Sequence, residues 1–393
     1  MIWLNFLHLY QPANAEDFFI EESFTKSYAR LIRLLVSNPS LKFTLNISGC
    51  LLERLASRPN DFKIEGEDFI VVIKRLINSG QLELVSSAAY HGFLPLLPEA
   101  EARKQIKENK ELLKKYLGDD FKIKGFFSPE MAYSKELAKI IKDEGYEWLI
   151  LDSVSSYDQS LDFNQIFIDD ESGLKIIFRC REFSRAYPPD EVKKLIDEGK
   201  RQLLITATDA ELYGLRHEDP SGEMEAVVKD VRLETKIISE YISSFNEQEL
   251  KRITLRRSSW ESEEKDIIHG EPFIFWQHKK NIIHRDLWKL SYLSLSLTEK
   301  FPDDKGLTWH RWHLVRGLAS CTFWWASASD FSFNFGPLAW NPDVVERGLE
   351  DLIRSVRSID NKDSLRDKLK AEALCLKIKK NLWQRHWKKH WSK

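Results

Sequence analysis

The sequence predicts an α/β fold. Parallel strands alternate with helices, close or nearly close into a barrel, and lead into a helical domain. Three observations carry this reading. Short apolar runs recur between stretches of helical periodicity from Ile2 to Leu255. Polar residues cluster just after several of those runs. Beyond about Ser258 the strand signal stops and long helical patterns take over. A flat doubly wound sheet is the alternative topology. No GxGxxG or P-loop pattern follows any strand, so nothing asks for a nucleotide.

Taken in order, Ile2 to His8 reads as the first strand, followed by a helical pattern from Phe24 to Val36. Strand Lys42 to Ile47 comes next, then helix Glu67 to Asn78 and strand Leu82 to Val85. A charged helix runs from about Glu99 to Tyr116. Ile123 to Phe127 is a fourth strand, broken at Ser128-Pro129 because Pro129 has no N–H and pushes Ser128 towards extended geometry. Glu130 follows, then a helix from Ser134 and strand Glu147 to Leu151. Gln165 to Phe178 alternates around Glu171-Ser172-Gly173, which predicts an inserted β-hairpin. Helix Pro189 to Glu198, strand Gln202 to Ala207, helix Met224 to Ser244 and strand Arg252 to Leu255 complete seven regular strands. Residues 1–258 are expected to form the barrel and 259–393 a helical domain, with helices at Asn281 to Lys300, Trp309 to Ala328, Pro342 to Ser358 and Asp363 to Trp391.

The 393 residues exceed one ordinary domain. Hydrophobic residues at 42% and charged residues at 31% suit a chain with a substantial core. A formal net charge of −2 argues against capture of nucleic acid or an anionic membrane. The four cysteines lack CxxC pairing, which fits neither a zinc site nor a disulfide framework. With no basic, signal-like N-terminal segment, a cytoplasmic location is expected. Thirteen tryptophans are heavy usage: flat sugar faces stack on such rings, although large cores use them too.

Four polar constellations fall at or near strand C-terminal ends, the rim where barrel active sites form. They are His8 with Gln11; Glu83 with Tyr90 and His91 downstream; Glu130; and Asp209 with Glu211. Each has a structural alternative. A histidine can be satisfied by backbone in a core, and Glu83 can sit in a buried ion pair. Glu130 can complement a helix dipole, and Asp209 can be an N-cap. Four such alternatives at four strand ends are a poorer account than one acidic cleft. Trp324 and Trp325 can floor a sugar subsite or pack in a core. The cluster Trp309, His310, Trp312 and His313 reads as a packed helix face. Trp383, Trp387 and Trp391 recur every four residues beside basic neighbours, and docking on the helical domain is the modest reading of that stripe.

These segments resemble glycoside hydrolase family 57. HLYQP at 8–12 is similar to its first motif, GQLEL at 80–84 to its second, GFFSPEMAY at 125–133 to its third and TDAELYG at 208–214 to its fourth. FRCREFS at 178–184 and CTFWWAS at 321–327 resemble further segments. The resemblance implies an incomplete (β/α)7 barrel with a C-terminal helical domain. It also implies Glu130 as nucleophile, Asp209 as general acid/base, and retaining action on α-glucosidic or α-galactosidic links. Tyr10, Gly92, Phe127 and Cys180 depart from the usual motif residues, at positions expected to shape sugar subsites.

Retaining chemistry needs two carboxyl groups roughly 5–5.5 Å apart, one a nucleophile and one a proton donor. Glu130 and Asp209 are expected to form that pair. His8, Gln11, Glu83, His91, Phe127, Glu211 and Trp325 are expected to bind substrate or orient the pair, with His8, Glu83 and Glu211 on the same C-terminal rim. The expected partner is an α-glucan or oligosaccharide, with no cofactor or metal, no nucleic acid and no membrane. Rival readings are a metal-dependent polysaccharide deacetylase and a non-catalytic carbohydrate-binding protein.

Overall fold

The computed structural model describes residues 1–158, 160–199, 203–327 and 340–390. The chain divides into two units, one of Met1–Ala89 with Leu94–Trp260, the other of Tyr90–Phe93 with Glu261–Lys393. The expected boundary at Ser258 thus falls at Trp260, and four residues after the third strand belong to the second unit.

The first unit is an incomplete (β/α)7 barrel. Its strands are β1 (Ile2–Leu9), β2 (Phe43–Ile47), β3 (Leu82–Val85), β4 (Gly125–Phe126), β5 (Trp148–Asp152), β6 (Lys175–Arg179) and β7 (Leu203–Asp209). Hydrogen-bonded order is β7-β1-β2-β3 on one side and β4-β5-β6 on the other, all parallel. Two thin seams close the ring. At β3/β4, the Ser86 N–H donates to Gly125 O at 3.1 Å and the Phe127 N–H to Ser86 O at 2.8 Å. At β6/β7, the Cys180 N–H reaches Ile205 O at 2.8 Å.

Burial explains the near-continuous apolar runs, since parallel strands are covered on both faces. Leu4 and Phe6 of β1, Val85 of β3, Ile150 of β5, Ile177 of β6, and Ile205 and Ala207 of β7 share one buried core inside the ring. Trp3, Leu7, Leu45, Leu84 and Leu204 belong to another, beneath the surrounding helices. Those helices include α1 (Ala29–Ser37), α2 (Gly49–Ala56), α3 (Phe69–Asn78), α4 (Glu99–Leu117), α5 (Lys135–Asp143), α6 (Pro188–Glu198) and α7 (Ile238–Ser243). The apolar side chains of α7 (Ile238, Tyr241, Ile242) join the inner core at the strands' N-terminal ends.

Two expectations change. The stretch near Arg252 is not a barrel strand: Lys251–Ile253 pairs with Phe167–Asp169, the first strand of the expected hairpin. The hairpin's second strand, β6, takes the vacant place in the ring, so the count of seven holds while one member differs. Met224 to Ser244 is not one helix either. It breaks into Glu223–Val227, the strand Glu234–Thr235 and α7, because Glu234–Thr235 pairs with Ile2–Trp3. Sheet pairing there overrides local helical propensity.

The second unit is helical: α8 (Ile282–Lys300), α9 (Leu307–Gly317), α10 (Ser320–Trp324), α11 (Pro342–Ser358) and α12 (Leu365–His390). Asn281 and Asn341 cap α8 and α11, each side chain accepting from two backbone N–H groups. The helix expected from Trp309 to Ala328 is two, separated at Ala319, whose extended backbone bridges Gly92. Ala328 and Trp391 lie outside the described residues.

Gly125 in β4 has a packing reason. A Cβ there would lie 2.1 Å from the indole of Trp148, which is buried and donates to Ser239 Oγ at 3.0 Å. Gly125→Ala should therefore cost about 1–3 kcal/mol by overpacking, read as a lowered urea midpoint with an unchanged m-value.

Candidate active site

The pleat fixes which side chains reach the barrel mouth. With Leu4 and Phe6 inside, two-residue alternation points His8 inward at the last turn of β1. With Ile205 and Ala207 inside, the same rule points Asp209 inward, and Asp209 is the direct register partner of His8. Asn46, register partner of His8 on β2, donates through Nδ2 to Val85 O at 2.8 Å, so its Oδ1 accepts from His8 Nδ1 at 2.8 Å. Burial lowers the His8 pKa to about 4, against the opposing pull of Asp209. At neutral pH the ring is therefore uncharged, with its proton on Nδ1.

Glu130 sits in a 3₁₀ turn after β4. Its backbone is left-handed (φ 62°, ψ 19°), and Met131 follows at φ 48°. Such conformations cost a non-glycine residue roughly 1–2 kcal/mol each and persist where surrounding bonds overdetermine them. The bonds here come from Ser258–Trp260. Tyr133 N donates to Ser258 O at 2.8 Å, and Trp260 N to Glu130 O at 3.0 Å. The Trp260 indole N–H donates to Glu130 Oε2 at 2.9 Å. One tryptophan thus holds both the backbone and the carboxylate of Glu130. Arg179 packs over its ring at 5.2 Å, and Phe127 and His8 meet it at 5.8 and 6.3 Å. Phe127 also packs against His8 at 4.5 Å. These contacts connect Glu130 to the β1–β7 rim.

The Asp209 carboxylate makes no capping bond to the 3₁₀ turn Ala210–Leu212 that it precedes. Its Oδ2 accepts from Arg216 at 2.6 Å instead. Glu211 is buried, accepting from Gln11 Nε2 at 2.9 Å and from the Tyr28 hydroxyl. A π-helical turn, Phe24–Tyr28, presents Tyr28 there and lets Ser27 Oγ donate to Ala210 O at 2.5 Å. Gly214 closes the loop at φ 108°; a Cβ there would lie 2.4 Å from Lys26 O. Burial, with Asp209 nearby, raises the Glu211 pKa to about 7, while Arg216 and Tyr28 pull it down.

The structure thus gathers His8, Gln11, Phe127, Glu130, Asp209 and Glu211 in the first unit. Glu83 does not join them, which corrects the expectation. Its residue pairs with Thr44, one inward layer below His8 and Asn46. Glu83 Oε2 accepts from Thr44 Oγ1 and from Ser239 N, both at 3.1 Å. Ser239 lies in the first turn of α7 at the opposite end of the barrel, where a carboxylate satisfies an unpaired helical N–H. Burial raises the Glu83 pKa against those donors. His91 and Trp325 belong to the second unit. His91 has a left-handed backbone (φ 56°) and its Nδ1 meets Ser320 Oγ at 2.8 Å. Trp325 is half-buried, edge-on to Trp324.

Sequence reasoning missed Trp260, which lies just beyond the last expected strand. It also missed the buried pair of Arg179 Nε and Asp152 Oδ2 at 2.7 Å. Alternation held a signal for this pair, since Asp152 and Arg179 end β5 and β6 in phase with the inward Ile150 and Ile177.

Fold and rim together define an incomplete (β/α)7 barrel protein with carboxylates among its rim residues. The model of Glycosyl hydrolase family 57 matches residues 5–256, and the chain belongs to that family. It is 24% identical over 311 residues to an "Alpha-amylase" of Pyrococcus horikoshii, covering 73% of this chain and 47% of that relative. The chain therefore spans about half that relative's length. Among solved structures it resembles 4-alpha-glucanotransferase from Thermococcus litoralis (TM-score 0.71, 17% identity, 92% of this chain and 60% of that one). It also resembles a GH57-type branching enzyme from Pyrococcus horikoshii (TM-score 0.70, 17% identity, 96% and 95%).

Glu211 gives a pH test. Its folded-state pKa, about 7, lies above its ordinary value of 4.5, so the folded chain binds the extra proton between those values. The stabilisation is complete below about pH 4.5 and is lost as pH rises through about 7. Glu211→Gln should abolish that slope, measured by urea unfolding of both proteins across this interval.

Proposed function

We propose that the chain is a retaining α-glycosidase or transglycosylase acting on α-linked glucans or oligosaccharides, in the cytoplasm. The observation that carries the reading is the clamp on Glu130: a strained turn, fixed at backbone and side chain, on the rim that also carries Asp209. Family membership supports the substrate class, and four scattered cysteines without CxxC spacing support a reducing compartment.

Glu130 attacks the anomeric carbon as Asp209 protonates the departing glycosidic oxygen, leaving a glycosyl ester on Glu130. Asp209 then takes a proton from water or from a sugar hydroxyl, whose oxygen displaces Glu130 and restores the α configuration. With Oδ2 of Asp209 held by Arg216, Oδ1 is the oxygen left to exchange the proton with the glycosidic oxygen. Neutral His8 offers its Nε2 to a sugar hydroxyl. Gln11, Glu211 and Tyr28 hold the loop that bears the acid.

Trp260→Phe keeps the ring but removes the N–H from the Glu130 carboxylate. It should lower kcat by about 10–100-fold with KM little changed, because the loss of one oriented hydrogen bond falls on the reacting group. An equal fall in both variants of a Trp260→Phe and Trp260→His pair, tracking their stability, would indicate packing alone.

The roles of the carboxylates separate by chemical rescue. Glu130→Gln should abolish formation of the glycosyl-enzyme. Asp209→Asn should lose only proton transfer, roughly 10²–10⁴-fold, and still glycosylate with an activated aryl α-glycoside. Azide should then release the α-glycosyl azide from the Asp209 variant. A β-azide, or identical behaviour of the two variants, overturns the assignment.

A further inference from the structure

Helix α12 carries an apolar face that the described residues of the second unit leave exposed. Leu365, Leu369, Leu376 and Trp387 are 62%, 63%, 68% and 47% exposed. At 3.6 residues per turn these four and the half-buried Trp383 fall within an arc of about 40°, a stripe running about 33 Å along the axis. The opposite face is docked: Ala371, Cys375, Ile378 and Leu382 are buried; on the stripe itself the Trp383 indole donates to Glu346 of α11 at 2.6 Å. Trp383 thus docks on the helical domain as expected, and Trp387 stacks on the Trp383 ring at 6.3 Å.

The helix is also strongly basic. Leu365–His390 contains nine Lys and Arg against Asp367 and Glu372, a net of +7 in a chain of net −2. Both acids are engaged, Asp367 with Lys300 at 2.5 Å and Glu372 with Arg357 at 2.6 Å, and so are two of the bases, Lys377 with Asp286 and Lys379 with Glu346, both at 2.8 Å. Arg366, Lys370, Lys377 and Lys380 rise along one flank of the stripe. On that flank a groove of about 780 Å³ opens between α12 and α8, lined by Lys289, Tyr292, Ser296, Lys370 and Lys377 together with the carboxylate of Asp367.

We propose that α12 is an interfacial helix that lays this stripe into the surface of an anionic bilayer. Leucines spaced along a whole helix need an apolar phase, which neither a glucan nor a nucleic acid supplies. The cationic flank of Arg366, Lys370 and Lys380 repels a second copy of the same face and attracts lipid phosphate. Long basic side chains reach from beside the stripe to the headgroups, and Trp387 suits the interfacial zone near one end. The chain then associates with a surface without crossing it; no helix among the described residues is long and apolar enough to span a membrane. The formal charge of −2 that argued against a membrane hid this local concentration.

The test is flotation of the full chain with vesicles of phosphatidylcholine alone and of phosphatidylcholine with phosphatidylglycerol, with sedimentation velocity in parallel. Binding is expected only with phosphatidylglycerol, weakening as salt rises. Leu369→Asp with Leu376→Asp, and separately Lys370→Glu with Lys380→Glu, should each reduce it by about tenfold or more at unchanged thermal midpoint. Because the substituted residues are exposed, folding is preserved in both variants. Failure to float with anionic vesicles overturns the proposal. If the chain is then a dimer that the Leu369 and Leu376 changes convert to monomer, the face joins two copies. If it is a monomer throughout, the face awaits a protein or a further segment. Equal binding by the native chain and both variants also overturns it.

Discussion

The candidate site depends on one constraint, the left-handed turn at Glu130 and Met131. Pro129 ends β4 abruptly, and two consecutive residues then adopt backbone angles that side chains disfavour. The turn exists because Ser258–Trp260 returns from the far end of the barrel domain and bonds to it like a short strand. Trp260 is in turn fixed by the Arg179 guanidinium above its ring, and Arg179 by Asp152 and by Ala207 O at 2.8 Å. The orientation of the Glu130 carboxylate is thereby tied to the ends of β5, β6 and β7 as well as to its own strand.

Much of the rim was legible in the sequence because β-strand alternation is a local rule. His8 and Asp209 follow inward-facing apolar residues at two-residue spacing, so their direction is readable before any contact is known. Glu83 obeys the same rule and does point inward. What the sequence could not supply was depth: a four-residue strand places it one layer too low, within reach of Ser239. Trp260 was illegible for the opposite reason. Its role comes from a return of the chain across more than a hundred residues, and nothing in RRSSW announces a partner.

The strand register shows the same division. Apolar runs and hairpin chemistry located β6 and its turn, including Gly173 at φ 70°. Which of two nearby strands enters the ring was decided by non-local pairing, which sent Lys251–Ile253 to the hairpin's outer strand. In the second unit the histidines expected in a packed face are packed: His310 meets Ser355 O at 2.8 Å, and His313 meets Asp351 at 3.0 Å. Their neighbours Trp309 and Trp312 are exposed, since helical spacing places residues on a face without saying which face is covered.

The two seams of the barrel have a mechanical meaning. β7-β1-β2-β3 and β4-β5-β6 are each laced by continuous ladders, whereas among the described residues two backbone bonds join them at one junction and one at the other. Glu130 rides on the three-stranded stave and Asp209 on the four-stranded one. Segments joined by few hydrogen bonds open at lower free energy than those within a ladder. The span between the two carboxyl groups is therefore the softest dimension of the barrel mouth, and the cross-seam ties of Arg179 and Trp260 act as its tie-rods.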